Sequence, residues 1–163
     1  GCIGLSSKAR RWFHTGPVPG LVHQRRIIPK TLPGGHCRGP AGSSGNADVI
    51  YVRAVKQSDA GSWTFHVTVQ HPDTGWEDYA DGWDVVLSDG TVLKPDPESP
   101  FTRLLLHPHV EEQPFTRSQR GIEIPPGITS VQVRAHDLVD GFGGEEITVD
   151  LQAEAGSGFE VVD

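Results

Sequence analysis

Four histidines stand where an extended chain is expected to turn: His71, His107, His109 and His136. Neutral imidazole is a good ligand for Zn, Cu and Ni. His107 and His109 are two residues apart, so on an extended chain they project to the same side and can grip one ion. His71 and His136, from neighbouring loops, would complete a tetrahedral or tetragonal set. Glu111 or Glu112 would add an oxygen ligand or orient an imidazole. The expected ion is Cu or Zn. The spacing matches no diagnostic motif, and a His-Pro-His segment equally serves as a surface loop whose imidazoles meet water or backbone carbonyls. His66 falls opposite the apolar parity of its segment and is expected to be exposed.

Two loops are rich in acids. One holds Asp73, Glu77, Asp78 and Asp81, the other Asp137, Asp140, Glu145 and Glu146. Ca²⁺ takes six to eight oxygens. Neither loop has the 1-3-5 carboxylate spacing of a helix-loop-helix site, so solvated acidic loops are expected, with Asp137 paired to Arg117. Trp76 and Tyr79 lie in the first loop. They can stack on a sugar or fill a protein interface, or fold over the domain end as a lid. Trp83, on a strand, is expected to be core. No Gly-x-Ser-x-Gly or phosphate-cradling loop occurs. Adjacent Glu111 and Glu112 diverge on an extended chain. The chain therefore reads as a non-enzyme. A redox metalloenzyme remains the last alternative, without the thiolate that some immunoglobulin-like metalloenzymes add.

What positions these residues follows from a charge boundary. Of the 163 residues, 14 are Lys or Arg, 21 are Asp or Glu, and the net charge is −7. Before Ala47 stand Lys8, Arg10, Arg11, Arg25, Arg26, Lys30 and Arg38 and no acid, a charge of +7; the remainder holds 7 basic and 21 acidic residues, or −14. Residues 1–46 show no periodicity, are broken by Gly and Pro, and carry both cysteines, Cys2 and Cys37. They are expected to be a disordered basic leader; a nucleic-acid arm, a transit peptide, the remnant of a lipoprotein cleavage site at Gly1-Cys2 or a non-native or mistranslated leader never selected to fold are the other readings. Net −14 argues against nucleic acid as the partner of the folded part. No apolar run approaches the roughly 18 residues of a membrane-spanning helix.

From Ala47 on, strands and turns alternate. Trp63, Phe65, Val67 and Val69 alternate with polar residues, as do Val131, Val133 and Ala135, and Ile147, Val149 and Leu151. Further strands are expected at 48–57, 83–87, 91–93, 102–106 and 115–124. Asp89-Gly90 marks a hairpin, and Pro125-Pro126-Gly127 a turn. About seven short strands over roughly 105 residues predict an all-β, immunoglobulin-like antiparallel sandwich at 47–152, with a flexible tail over 153–163. If 91–106 is one upward crossing interrupted at 94–100, His71, His107, His109 and His136 share one pole. If it is two crossings, His71 parts from the others.

The run Ile124-Pro-Pro-Gly-Ile-Thr-Ser-Val-Gln-Val-Arg-Ala135, a Gly-rich loop, and Ile147-Thr-Val149 resembles the E–F turn, F strand, F–G loop and G strand of fibronectin type III domains. His71-Pro-Asp-Thr-Gly-Trp-Glu-Asp-Tyr-Ala-Asp-Gly-Trp83, His107-Pro-His-Val-Glu-Glu-Gln-Pro-Phe-Thr-Arg-Ser118, Val133-Arg-Ala-His136 and Gly141-Phe-Gly-Gly144 resemble a family of small secreted bacterial β-sandwich proteins of unassigned function. That resemblance implies export, to the periplasm or beyond the cell, although no signal peptide stands in this chain; it implies no activity.

The expected function is an exported accessory or binding domain, a monomer, working through the pole loops 72–81, 107–113 and 137–145. It would hold a transition metal on the four histidines, or, metal-free, contact a protein or glycan through Trp76 and Tyr79. Glu111, Glu112, Arg117 and Asp137 are the other candidate contact residues.

Overall fold

The computed structural model describes residues 45–58 and 61–163. The predicted leader, apart from Gly45 and Asn46, and both cysteines lie outside the described residues. The rest is all-β, built from nine strands in two facing sheets. These are β1 (Asp48–Lys56), β2 (Ser62–Gln70), β3 (Ala80–Val86), β4 (Arg103–Leu104), β5 (Phe115–Glu123), β6 (Ser130–Asp137), β7 (Ile147–Asp150), β8 (Ala155–Gly156) and β9 (Phe159–Val162). One sheet runs β5-β2-β1-β9-β8 and the other β4-β3-β6-β7. The sandwich expected from period-2 alternation is present, and the alternation shows why. Phe65, Val67 and Val69 of β2, Val131, Val133 and Ala135 of β6, and Trp83 and Val85 of β3 are buried in one core between the sheets.

The stretch 91–106 makes one crossing. Val92 bridges Val86, and Arg103 and Leu104 pair with Trp83 and Gly82, so both segments run antiparallel along β3. Only Arg103–Leu104 forms a strand there, because Lys94–Phe101 loops out between them. Thr102 stitches the insertion down: its Oγ1 accepts from Val85 N at 2.9 Å and donates to Leu93 O at 2.6 Å, while its N–H donates to Asp84 Oδ1 at 3.0 Å. The loop then lays Phe101 across the outer face of β3. Gly82 makes room for it, since a Cβ there would sit 2.1 Å from Phe101 Cδ2. The Asp89-Gly90 hairpin closes as expected, with Leu87 N donating to Thr91 O at 2.8 Å and Gly90 at φ +89°.

The expected flexible tail over 153–163 is corrected. Phe159 is buried, Val161 packs on the core, and β9 pairs in parallel with β1 from Val52↔Phe159 to Val55↔Val162. An open β1 edge offered a full ladder of unpaired donors and acceptors, and Phe159 an apolar anchor. The sandwich is therefore antiparallel except at this pair.

Candidate functional site

Strand parity delivers two polar side chains into the upper end of the core. β2 turns Phe65, Val67 and Val69 inward, so His71, two residues on, follows them; it is fully buried. β6 turns Val131, Val133 and Ala135 inward, so Asp137 follows, also fully buried. Between them the loop after β2 inserts Asp73 and Asp78, both buried. The loop acids expected to be solvated thus include four buried ones: Asp73, Asp78, Asp81 and Asp137.

Asp73 is the hub. Its Oδ1 lies 2.6 Å from His71 Nδ1 and accepts from Ala80 N at 3.1 Å; its Oδ2 accepts from His109 N at 2.6 Å. A carboxylate taking three N–H groups is an acceptor at both oxygens, which assigns the His71 proton to Nδ1. The His71 backbone is also fixed, its N–H donating to Gln113 Oε1 at 3.0 Å, and Gln113 Nε2 donates to His109 O at 3.1 Å. The other ring nitrogen, His71 Nε2, is buried with no hydrogen-bond partner and lies 3.6 Å from Asp78 Oδ1. His71, Asp78 and Asp137 each present one ligand atom within 4.8 Å of the others. Asp137 is held from behind: its Oδ1 accepts from Val139 N at 2.9 Å and Asp140 N at 2.6 Å, its Oδ2 from Ala47 N at 3.3 Å.

The expected four-histidine cluster does not form. His136, one residue from Asp137, has the opposite parity and faces outward. Its Nδ1 lies 2.6 Å from Asp81 Oδ1, and its ring packs on Phe101 and Phe142. Exposed His107 lies ring to ring with His109, centroids 4.5 Å apart, and its Nδ1 meets Pro108 O at 3.1 Å. His109 is buried, stacked on Phe115 at 3.8 Å, and its Nε2 accepts from Arg117 Nη2 at 2.8 Å. A guanidinium on that nitrogen repels a cation, so His109 is unsuited as a metal ligand. Burial first, then the charges of Arg117 and His107, lower its pKa below the usual histidine value, against the opposing pull of Asp73 and Glu112. The expected Asp137–Arg117 pair is also absent: Arg117 Nη2 lies 3.6 Å from Glu112 Oε2. Glu111 is exposed.

Trp83 is core, as expected, and fully buried. Trp76 is 68% exposed, its ring edge-on to half-buried Tyr79 at 5.9 Å, and exposed Leu138 and Val139 lie on the loop whose Leu138 N donates to Tyr79 O at 3.2 Å. His66 is half-buried on the outer face, its Nδ1 2.6 Å from Ser118 Oγ on β5.

The chain is similar to a protein of Halomicrobium mukohataei named "Putative lipoprotein", 43% identical over 91 residues. The match covers 56% of this chain and 41% of the length of that relative. No family model and no solved structure matches the chain.

Proposed function

We propose that this chain is an exported, non-enzymatic binding module that holds one divalent metal ion, Zn²⁺ in the first place, at the pole of its sandwich through His71 Nε2, Asp78 and Asp137. One observation carries the reading: a buried imidazole whose Nδ1 is oriented by a carboxylate while its Nε2 faces two buried carboxylates. A carboxylate behind a ligating histidine fixes its tautomer and raises its basicity, and Asp73 stands in that position. Ligands at about 2.0–2.2 Å from Zn²⁺ in a tetrahedron lie about 3.4 Å apart, close to the 3.6 Å between His71 Nε2 and Asp78 Oδ1. The set holds one nitrogen donor and two carboxylates and no sulfur, which favours Zn²⁺ over Cu(I). Export is supported by the name of the Halomicrobium mukohataei relative. The split of strands one, two and five from three, four, six and seven supports the immunoglobulin and fibronectin type III likeness.

The test is metal analysis of the untagged full chain followed by Zn²⁺ titration. Stoichiometric binding is expected, lost in His71→Gln and Asp137→Asn and kept in His107→Ala and His136→Ala. Loss in His107→Ala with retention in His71→Gln would restore the loop-histidine site and overturn this one. Circular dichroism on each variant separates lost ligands from lost fold.

A second reading rests on exposed Trp76 stacked against Tyr79 beside Leu138 and Val139. That apolar pole surface suits a protein or glycan partner. Trp76→Ala is expected to abolish capture on an immobilised polysaccharide or cell-envelope fraction while leaving Zn²⁺ binding intact.

A further inference from the structure

A second polar constellation lies on the side of the sandwich where its two sheets end. β5 is the edge of one sheet and β4 the edge of the other. Between them a cavity of about 90 Å³ is lined by Arg103, Leu104, Leu105, Leu106, His107, His109 and Arg117. Every titratable group in that lining is a base. This is unusual on a domain whose residues 47–163 carry 7 basic and 21 acidic side chains.

The two guanidiniums are incompletely engaged. Arg103 reaches β5 through Nη1, at a long 3.5 Å from Gln119 Oε1, and its Nε is buried with no hydrogen-bond partner. Arg117 gives Nη1 to the carbonyl of Thr116 at 2.9 Å and Nη2 to His109 Nε2 at 2.8 Å. Its carboxylate neighbour, Glu112, stays 3.6 Å from Nη2 with a side chain 70% exposed, beyond hydrogen-bond distance. Two guanidiniums line one small cavity, and a guanidinium matches the acceptors of a planar or tetrahedral oxyanion, which Arg recognises bidentately. The floor is apolar: Leu105 is buried, and Leu104 and Leu106 are exposed at the rim. A cavity of this size holds one small oxyanion or a handful of waters.

We propose that the cavity between β4 and β5 is a subsite for a small oxyanion, a carboxylate or a phosphate, held by Arg103 and Arg117 with its substituent lying over Leu104 and Leu106. The site is separate from the cation cluster of His71, Asp78 and Asp137 and does not depend on it. Glu112 acts as a weak internal competitor for Arg117.

The test is an NMR titration of the full chain at constant ionic strength in NaCl, with sodium acetate in one arm and inorganic phosphate in the other. Saturable shifts confined to residues 103–107, 109 and 117 are expected in at least one arm, and the tighter arm identifies the oxyanion class. Arg103→Gln, on a two-residue edge strand, and Arg117→Lys, which keeps the charge but loses the fork, should each weaken binding by about tenfold or more, the effect of losing a charge-assisted hydrogen bond. Arg120→Gln, an exposed arginine on the same β5, should stay within about twofold, because an exposed charge outside the cavity is screened. Glu112→Gln should tighten binding. Failure to saturate in both arms, or equal weakening by Arg120→Gln and Arg103→Gln, would overturn the proposal.

Discussion

Replacing Asp73 by Asn tests the hub with the least change of shape. The Asp73 side chain is fully buried and receives His71 Nδ1 at 2.6 Å, Ala80 N at 3.1 Å and His109 N at 2.6 Å. Two of those donors approach Oδ1 and one approaches Oδ2. An amide offers one acceptor end and one donor end. In either flip its NH₂ meets at least one N–H head on. The better flip keeps oxygen toward His71 and Ala80 and loses the His109 bond. That bond has a charged acceptor, worth about 1.5–3 kcal/mol, and the buried donors left facing one another cost about 1–3 kcal/mol more. The expected destabilisation is therefore about 2.5–6 kcal/mol. For a domain of this size, 1 kcal/mol moves Tm by about 3–5 °C, so Asp73→Asn should lower Tm by roughly 8–30 °C. Urea and thermal unfolding followed by tryptophan fluorescence read this directly. With the proposed metal site, the same variant should weaken Zn²⁺ binding by about 10–100-fold, the usual effect of losing the partner behind a ligating histidine. A stability loss below about 1 kcal/mol would refute the hub, because three buried hydrogen bonds to one carboxylate cannot be that cheap to disturb.

Three further outcomes follow from the same geometry. His109 has a folded pKa below its ordinary value of 6.5, chiefly through burial, so the unfolded chain takes up its proton first as pH falls. Its contribution to stability is complete above about pH 6.5, declines as pH falls from there toward the folded value, and then levels off; urea midpoints between pH 8 and 5 should show a decline that His109→Gln flattens. Ending the chain at residue 152 removes β8 and β9, exposes the β1 edge and empties the Phe159 slot; a loss of at least about 3 kcal/mol and concentration-dependent self-association in size-exclusion chromatography are expected, and an unchanged monomer of full stability would show the pairing to be dispensable. Gly82→Ala places a methyl 2.1 Å from Phe101 Cδ2. It should cost about 1–3 kcal/mol by overpacking, and the ring-current shifts of His136 in NMR should change as Phe101 moves off it.

Most of the sandwich was legible because its strands carry a one-sided apolar period, and that period has only one solution once a core must form. Phe65-Val67-Val69 and Val131-Val133-Ala135 announce both the strand and the face. What escaped was β9, where Phe159-Glu-Val-Val is too short to show a period and is positioned by the β1 edge it joins rather than by its own pattern. The single crossing of 91–106 was visible only as one of two alternatives, because the stitch through Thr102 to Val85, Leu93 and Asp84 lies between residues 9 to 18 apart and leaves no local signature.

The same period contained the candidate site, read one residue short. Extending the inward parity of β2 past Val69 reaches His71, and extending that of β6 past Ala135 reaches Asp137 rather than His136. Residue type had pointed to histidine, and the chain's geometry selected aspartate. His71 and Asp73, two apart, were the local clue that a carboxylate and an imidazole share one side. A buried cluster of three acids and one imidazole is costly to desolvate. It persists in a fold either because it binds a cation or because it fixes the pole loops. The two explanations diverge in one variant. Exchanging His71, Asp78 and Asp137 together for apolar residues of similar volume strands the Val139, Asp140 and Ala47 N–H groups that Asp137 accepts, so it lowers stability in either case. For a cation site the exchange also removes the difference in Tm between metal-loaded and chelator-treated protein. A Tm raised by Zn²⁺ in the parent and indifferent to it in the triple variant would assign the cluster to the ion; equal response to Zn²⁺ in both would assign it to the loops.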